Sequence, residues 1–196
     1  MTKQNLKRQC EVIQIGKMKS LRLAVLVVSL CTFLSACAKT LPSIGVAVPG
    51  TYEQELDIWA NGFKRSYRLH VPPAYNAQKP MPLVVVIHGA FDTAAGMETY
   101  SGFSKLSDRE GFLVLYPNGM GLFGYLQHWN AGHCCGKAAK DQIDDVAFIE
   151  AAISDACQRL RVDRRNIFML GFSNGGMMAY RFAAEKTNLL AGAAFL

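Results

Sequence analysis

The sequence predicts an α/β fold in which a mainly parallel central sheet is flanked by helices and preceded by an antiparallel pair of strands. Three apolar runs are the main observation, at residues 83–87, 112–116 and 167–170. None of them alternates with polar residues, which is typical of strands that are buried on both faces of a parallel sheet. Stretches with helical periodicity separate the runs, and this alternation favours wound βαβ units.

The antiparallel pair is predicted before the first of these runs. Apolar residues and Arg65 alternate with polar ones from residue 63 to residue 71, as in a strand with one buried face. Asn61-Gly62 is a typical hairpin turn, so residues 51–58 are the expected partner strand. On this pattern His70 falls on the polar face and is expected to be solvated.

The strongest helical pattern precedes the run at 167–170. Apolar residues recur at steps of three and four between Val146 and Leu160. Asp141, Asp144 and Asp145 stand at the predicted start, where carboxylates accept free backbone N–H groups and meet the positive end of the helix dipole. We predict a structural role for these carboxylates. A further apolar run, at 191–196, follows the next helix.

Composition and charge exclude several classes of protein. The 196 residues are 51% hydrophobic and 18% charged, which suits one globular domain with a short appendage. The formal net charge of +6 is uneven, because residues 1–36 contribute +5 and residues 37–196 only +1. The folded part therefore offers no bulk electrostatic attraction for polyanions, and no nucleic-acid partner is expected.

Residues 1–36 are predicted to be an export signal. Lys17, Lys19 and Arg22 precede an apolar run at 23–33 that is too short to span a bilayer. The following Leu34-Ser35-Ala36-Cys37 resembles the lipobox of bacterial lipoproteins, in which the cysteine is acylated and anchors the protein without a spanning helix. A simple cleavable signal is the alternative. The expected location is the outer membrane or the extracellular space, with residues 37–50 as a tether.

The cysteines are interpreted in the light of this export. Cys134, Cys135 and Cys157 would remain in an oxidising compartment, and they are candidates for a disulfide with the pairing left open. The one imidazole close to the adjacent pair is His133, and no second ligand cluster follows. No metal site is therefore predicted.

Chemistry is predicted at Gly171-Phe172-Ser173-Asn174-Gly175-Gly176, which lies between the run at 167–170 and an apolar helix at 177–184. A G-x-S-x-G motif between a buried strand and a helix is the context of a nucleophile elbow. Gly171 and Gly175 would leave space for the strained turn, and Ser173 would project from the carboxyl edge of the sheet. A glycine-rich turn without catalytic use is the alternative.

A serine nucleophile also needs donors for the oxyanion of the tetrahedral intermediate. One is expected to be the backbone N–H of Asn174, and the other that of Ala90 in the loop after residues 83–87, with Phe91 as the second choice. His88 and Phe91 of this loop are candidate substrate-binding residues. His88 lies at the strand end, where a histidine more often orders the loop than acts as the base.

At this point the chain resembles a known family, the exported α/β-hydrolase esterases of the polyhydroxybutyrate depolymerase and feruloyl esterase type. The resemblance spans about residues 51–196 and rests on motifs in the family's order: residues 83–89, 116–119, 129–136, 144–149, 162–167 and 171–178. It implies the α/β-hydrolase fold, hydrolysis of small or polymeric carboxylic esters through an acyl-enzyme on Ser173, and no metal or organic cofactor. It also implies that Trp129 lies near the mouth of the site and packs on an acyl or aromatic group. A monomer is expected.

The chain departs from the family in one respect. The catalytic triad of these hydrolases follows the order Ser, then Asp or Glu, then His. After Ser173 this sequence has Glu185 as its sole carboxylate and no histidine. Residues 51–196 are therefore expected to be the N-terminal part of a longer hydrolase domain, with an incomplete sheet and little or no turnover. The alternatives are a related acyltransferase or peptidase, or a surface lipoprotein that binds a polymer without catalysis.

Overall fold

The computed structural model describes residues 48–122 and 124–196. The predicted export signal, Cys37 and most of the predicted tether lie outside the described residues. Within the described part, no helix has the length and apolar character needed to cross a membrane.

The strands form one large sheet and one small hairpin. Their bounds are β1 Gly50–Ala60, β2 Phe63–Val71, β3 Met81–Ile87, β4 Leu113–Pro117, β5 Met120–Leu122, β6 Tyr125–His128, β7 Val162–Gly171 and β8 Gly192–Phe195. The large sheet has the order β1-β2-β4-β3-β7-β8, and β5 pairs with β6 in the hairpin. Strands β4, β3, β7 and β8 run parallel, whereas β2 is antiparallel to both β1 and β4. The predicted α/β architecture with an antiparallel N-terminal pair is therefore confirmed.

The helices connect these strands. They are α1 Ala94–Ser101, α2 Phe103–Glu110, α3 Gly136–Lys140, α4 Asp145–Arg159 and α5 Asn174–Glu185, with a short 3₁₀ helix at Thr187–Leu189. Buried residues of α4 and α5 pack with β3, β4 and β7 in one core cluster, and those of α1 pack with β3 and β4 in another. The sheet thus has helices on both faces, which explains why the runs of β3 and β4 are apolar without alternation.

The turn between β1 and β2 follows from its two residues. Asn61 and Gly62 have φ values of 50° and 79°. Two positive φ angles are the requirement of a type I′ turn, whose twist matches that of an antiparallel hairpin. The Asn-Gly pair therefore sets the register of β1 and β2 next to the turn, where Ala60 pairs with Phe63.

The prediction for His70 is wrong. Its side chain is buried, and its ring nitrogens lie 2.9 Å from the Thr51 hydroxyl and 2.8 Å from a carboxylate oxygen of Asp108 on α2. Strand alternation shows which residues share a face, but the polar face of β2 is covered by helices that the alternation does not reveal.

The start of α4 agrees with the prediction for two of the three carboxylates. Asp144 is the N-cap residue and accepts the Ala147 N–H at 3.0 Å. Asp145 occupies the first turn and is fully buried. Asp141 instead ends α3, where it pairs with Lys137 at 2.5 Å.

The Asp144 cap can be tested by substitution. We expect Asp144→Ala to lower the free energy of unfolding by about 1 kcal/mol, since one helix N–H loses its acceptor. Asp144→Asn keeps an acceptor oxygen and should stay close to wild type. Urea denaturation measures both variants, and equal stability of Asp144→Ala and wild type would show that the cap contributes nothing.

Candidate active site

The predicted nucleophile lies at a sharp turn between β7 and α5. Ser173 has φ 54° and ψ −120°, is exposed, and immediately precedes the first helical residue, Asn174. This backbone conformation is rare for a residue with a side chain and persists only where the surroundings fix it. Backbone bonds hold the turn, because Gly175 N–H donates to Phe172 O at 2.9 Å and Met177 N–H donates to Ser173 O at 3.0 Å.

The two predicted elbow glycines lie where a side chain has no room. A Cβ atom on Gly171 would overlap the carbonyl group of Gly175. A Cβ atom on Gly175 would overlap the carbonyl oxygens of Ile87 and His88, at the end of β3. The turn therefore packs backbone against backbone, which brings the loop after β3 close to Ser173.

The predicted oxyanion donors lie on the two segments that meet here. A Cβ atom on Gly89 would be 3.5 Å from the Ser173 Cβ, so the loop that carries Ala90 lies beside the serine. Among residues 48–122 and 124–196, no acceptor binds the N–H of Ala90 or of Asn174. The N–H of Phe91 donates to Gln127 O at 2.8 Å and is already used. This geometry favours Ala90 over Phe91 as the second donor.

His88 lies beneath the site and not at its surface. The ring is fully buried, its Nδ1 lies 2.7 Å from Gly89 O, and its Nε2 accepts the Gly119 N–H at 3.0 Å. Its Nε2 also lies 3.1 Å from Gln127 Oε1, and burial lowers the pKa of His88. The sequence prediction of substrate contact by His88 does not fit this position, whereas the expected loop-ordering role does.

Trp129 is also buried, which disagrees with the predicted packing on a substrate group. Its indole Nε1 donates to His88 O at 2.9 Å, and the two rings are 4.9 Å apart. Its backbone is bound by the side chain of Asn174, which accepts from Trp129 N–H at 2.8 Å and donates to Trp129 O at 3.2 Å. Trp129 therefore links α5 to the loop after β3 on the buried side of the site.

A buried ion pair that the sequence did not indicate supports the same region. Arg65 of β2 donates to Asp145 of α4 at 2.7 Å, with both side chains almost fully buried. Asp145 also accepts the Asn130 N–H at 2.7 Å, and Arg65 donates to Asn118 O at 3.1 Å. Burial raises the pKa of Asp145, and the neighbouring Arg65 guanidinium opposes that rise. The pair fixes the segments after β4 and after β6. In the sequence, the one sign of this pair was the position of Arg65 on an otherwise apolar strand face.

A cavity of about 670 Å³ opens beside Ser173. Its lining combines apolar side chains of α5 and β8, among them Met177, Tyr180 and Phe195, with His133 of the loop after β6. Phe91 is exposed and has a φ of 66°. Its ring packs edge to face with that of His128, and the two ring centroids are 4.6 Å apart. Phe91 thus remains a candidate substrate contact.

Two of the described cysteines, Cys134 and Cys135, directly follow His133 of the cavity beside Ser173. Cys134 and Cys135 are bonded to each other, and the Cys135 N–H donates to Trp129 O at 2.9 Å. Cys157 is a free cysteine on α4. In the described part of the chain, no group of three or more metal-ligating side chains comes together.

A general base in contact with the serine is absent from the part of the chain that the structure describes. No side chain there hydrogen-bonds the Ser173 hydroxyl. Glu185 pairs with Arg181 at 2.7 Å within α5. Of the four histidines, only His133 lines the same cavity as Ser173.

The sheet order, the helices on both faces and the strained serine after a parallel strand define an α/β-hydrolase. Solved structures agree: an acetyl xylan esterase from Aspergillus awamori superposes with a TM-score of 0.55 at 23% identity, over 73% of this chain and 50% of that one. Residues 65–195 match the model of the esterase PHB depolymerase family, and the chain belongs to that family.

Curated relatives are similar to this chain over part of their length. NocK of Nocardia uniformis subsp. tsuyamanensis, named as an esterase, is 36% identical over 134 residues, which are 68% of this chain and 38% of NocK. Feruloyl esterase B of Piromyces equi is 31% identical over 63% of this chain and 22% of its own. Poly(3-hydroxyalkanoate) depolymerase C of Paucimonas lemoignei is 30% identical over 64% of this chain and 29% of its own length. The matched region is thus less than half the length of each of these relatives.

The packing at the elbow predicts a contrast between two glycines. Gly175→Ala would force its Cβ into backbone oxygens, so we expect a loss of about 3 kcal/mol or more in the free energy of unfolding. Gly192→Ala is the matched control, because its Cβ would meet only the Phe168 ring at 3.5 Å. That variant should stay within about 0.5 kcal/mol of wild type by urea denaturation. Similar losses in both variants would contradict the steric account.

The buried His88 predicts a pH dependence of stability. Because its pKa is lowered in the folded state, the unfolded chain binds the proton more readily. The contribution of His88 to stability is complete above its ordinary pKa of 6.5 and is lost as the pH falls toward the folded value. Below pH 6.5, the free energy of unfolding of the wild type should therefore fall more steeply than that of His88→Gln. The exposed His133→Gln should keep the wild-type slope; a wild-type slope in His88→Gln would refute the assignment.

Proposed function

We propose that this protein is a serine hydrolase of carboxylic esters and that Ser173 is its nucleophile. The observation that carries the proposal is the exposed serine in a strained turn, beside two backbone N–H groups to which no described residue offers an acceptor. Membership of the esterase PHB depolymerase family supports the same chemistry.

The reaction follows from these groups. The Ser173 hydroxyl oxygen attacks the ester carbonyl carbon, and the N–H groups of Ala90 and Asn174 donate to the developing oxyanion. The alcohol leaves, and water then hydrolyses the acyl-serine. Each step needs a proton acceptor and donor, and an unassisted serine hydroxyl is a poor nucleophile. We therefore expect the 196-residue chain to acylate slowly and to turn over little.

We propose esters of the polyhydroxybutyrate or feruloyl type, borne by a polymer or a polysaccharide, as the substrate class. The apolar and aromatic lining of the cavity beside Ser173 supports an apolar or aromatic acyl group. The relatives named as feruloyl esterase and poly(3-hydroxyalkanoate) depolymerase support the same class.

We further propose that the protein is exported and held at a membrane by acylated Cys37. The basic and apolar pattern of residues 17–33 and the sequence 34–37 support this location. Residues 37–50 would then be the tether between the anchor and the hydrolase domain.

Acylation of Ser173 is the test of the proposed chemistry. The purified 196-residue chain is incubated with p-nitrophenyl acetate and digested, and the peptides are analysed by mass spectrometry. We expect one acetyl group on the peptide that contains Ser173, because the activated ester needs little help from a base. Ser173→Ala should abolish the adduct, and Ser154→Ala, which removes an exposed serine of α4, should retain it.

Other outcomes separate the alternatives. Absence of the adduct, or equal labelling of Ser173→Ala, would contradict the nucleophile and favour a polymer-binding protein without catalysis. Faster acylation by acetyl p-nitroanilide than by the ester would favour a peptidase. Loss of acylation in His133→Gln would identify His133 as a base for this chain. Finally, the chain is incubated with a mixture of the p-nitrophenyl esters of ferulate and 3-hydroxybutyrate. The relative amounts of the two acyl groups on Ser173 then rank them as substrates.

A further inference from the structure

A second cavity lies at the opposite end of the central sheet from Ser173. It has a volume of about 530 Å³ and is bordered by the segment before β3, the end of α4 and the start of β7. Its lining residues are Tyr75, Ala77, Gln78, Cys157, Gln158, Arg159, Leu160, Arg161, Val162 and Arg164. Strand β7 pairs with β3 from Met81↔Val162 to Ile87↔Gly171, so the cavity lies about 20 Å from the elbow along the sheet.

The charge of this cavity is positive. Three of its lining residues are arginines and none is acidic. Arg159 pairs with Asp155 at 2.7 Å, whereas Arg161 and Arg164 form no ion pair with any residue that the structure describes. The nearby Asp163 accepts bonds within its own turn, from Arg165 N–H at 3.1 Å and from the Asn166 side chain at 2.8 Å.

Further hydrogen-bond donors line the same cavity as Arg161 and Arg164. The Tyr75 hydroxyl oxygen accepts the backbone N–H of Arg161 at 2.8 Å, so the hydroxyl proton of Tyr75 is available to a ligand. The amide groups of Gln78 and Gln158 line the same space. Burial raises the pKa of the Cys157 thiol, which therefore adds no negative charge.

We infer that this cavity binds a small organic oxyanion that carries at least two carboxylate or phosphate groups. Planar guanidinium groups bind such oxyanions through paired hydrogen bonds, and two unpaired arginines beside neutral donors supply what one multivalent anion needs. The volume falls within the range of small-molecule sites and exceeds what one inorganic phosphate fills. A nucleic acid is the weaker candidate, since residues 37–196 have a net charge of only +1. The inference does not depend on the activity of Ser173.

Isothermal titration of the purified 196-residue protein with citrate tests the site. At constant ionic strength and pH 7.5 we expect saturable binding, and weaker binding of inorganic phosphate. Arg161→Gln/Arg164→Gln should weaken citrate binding by roughly tenfold for each arginine, since each loses a charge-assisted contact. Arg109→Gln is the matched control, because Arg109 is an exposed arginine of α2 that pairs with Glu110. Thermal unfolding should show that all three proteins are folded alike.

Several results would overturn the inference. If Arg109→Gln weakens citrate binding as much as the double variant does, the effect is one of net charge and not of a specific site. Unchanged affinity in the double variant, or no binding of citrate to wild type, excludes the cavity as an oxyanion site. Binding of phosphatidylglycerol vesicles without binding of citrate would assign the arginines to a lipid surface and not to a soluble ligand.

Discussion

The close approach of backbone to backbone at the end of β7 is the constraint on which the site depends. Ser173 has a conformation that costs on the order of 1–3 kcal/mol in general, so the surrounding core must hold it. The parallel pairing of β3 with β7 places Gly171 opposite Ile87, and the missing side chains at 171 and 175 let α5 begin directly against the end of β3. The packing of the sheet therefore fixes the backbone and the Cβ atom from which the Ser173 hydroxyl projects.

Two buried polar groups beneath the elbow hold the loops that complete the site. Asn174 binds both backbone groups of Trp129, whose indole in turn binds His88 O. At the next residue of the same loop, Asp145 joins Arg65 to the backbone of Asn130. Breaking a buried ion pair typically costs about 3–5 kcal/mol, because the remaining charge loses its partner. Such groups restrict the loops to one arrangement, which is what a preorganised oxyanion site needs, since donors that must reorient contribute less to the transition state.

The sequence predicted what is determined locally and failed where distant segments meet. The strands β3, β4 and β7 and the elbow were predicted because apolar runs and the glycine spacing act over a few residues. The burial of Trp129 and His88 was not, because a motif places a residue near a site without showing whether it faces the substrate or the core. Arg65 was predicted on the buried face, but its partner Asp145 lies 80 residues away. The β5–β6 hairpin had no clear pattern, since its strands have only three and four residues.

The two ends of β7 have different chemistry, and the distance between them limits how one can affect the other. The arginines near the start of the strand lie about 20 Å from Ser173, more than twice the screening length of about 8 Å at physiological salt. Their charge therefore contributes little to an oxyanion formed on the serine. Around Ser173 itself the cavity is lined largely by apolar side chains. In the proposed reaction, the backbone N–H groups of Ala90 and Asn174 are therefore the expected source of oxyanion stabilisation, and the largely apolar lining strengthens their hydrogen bonds.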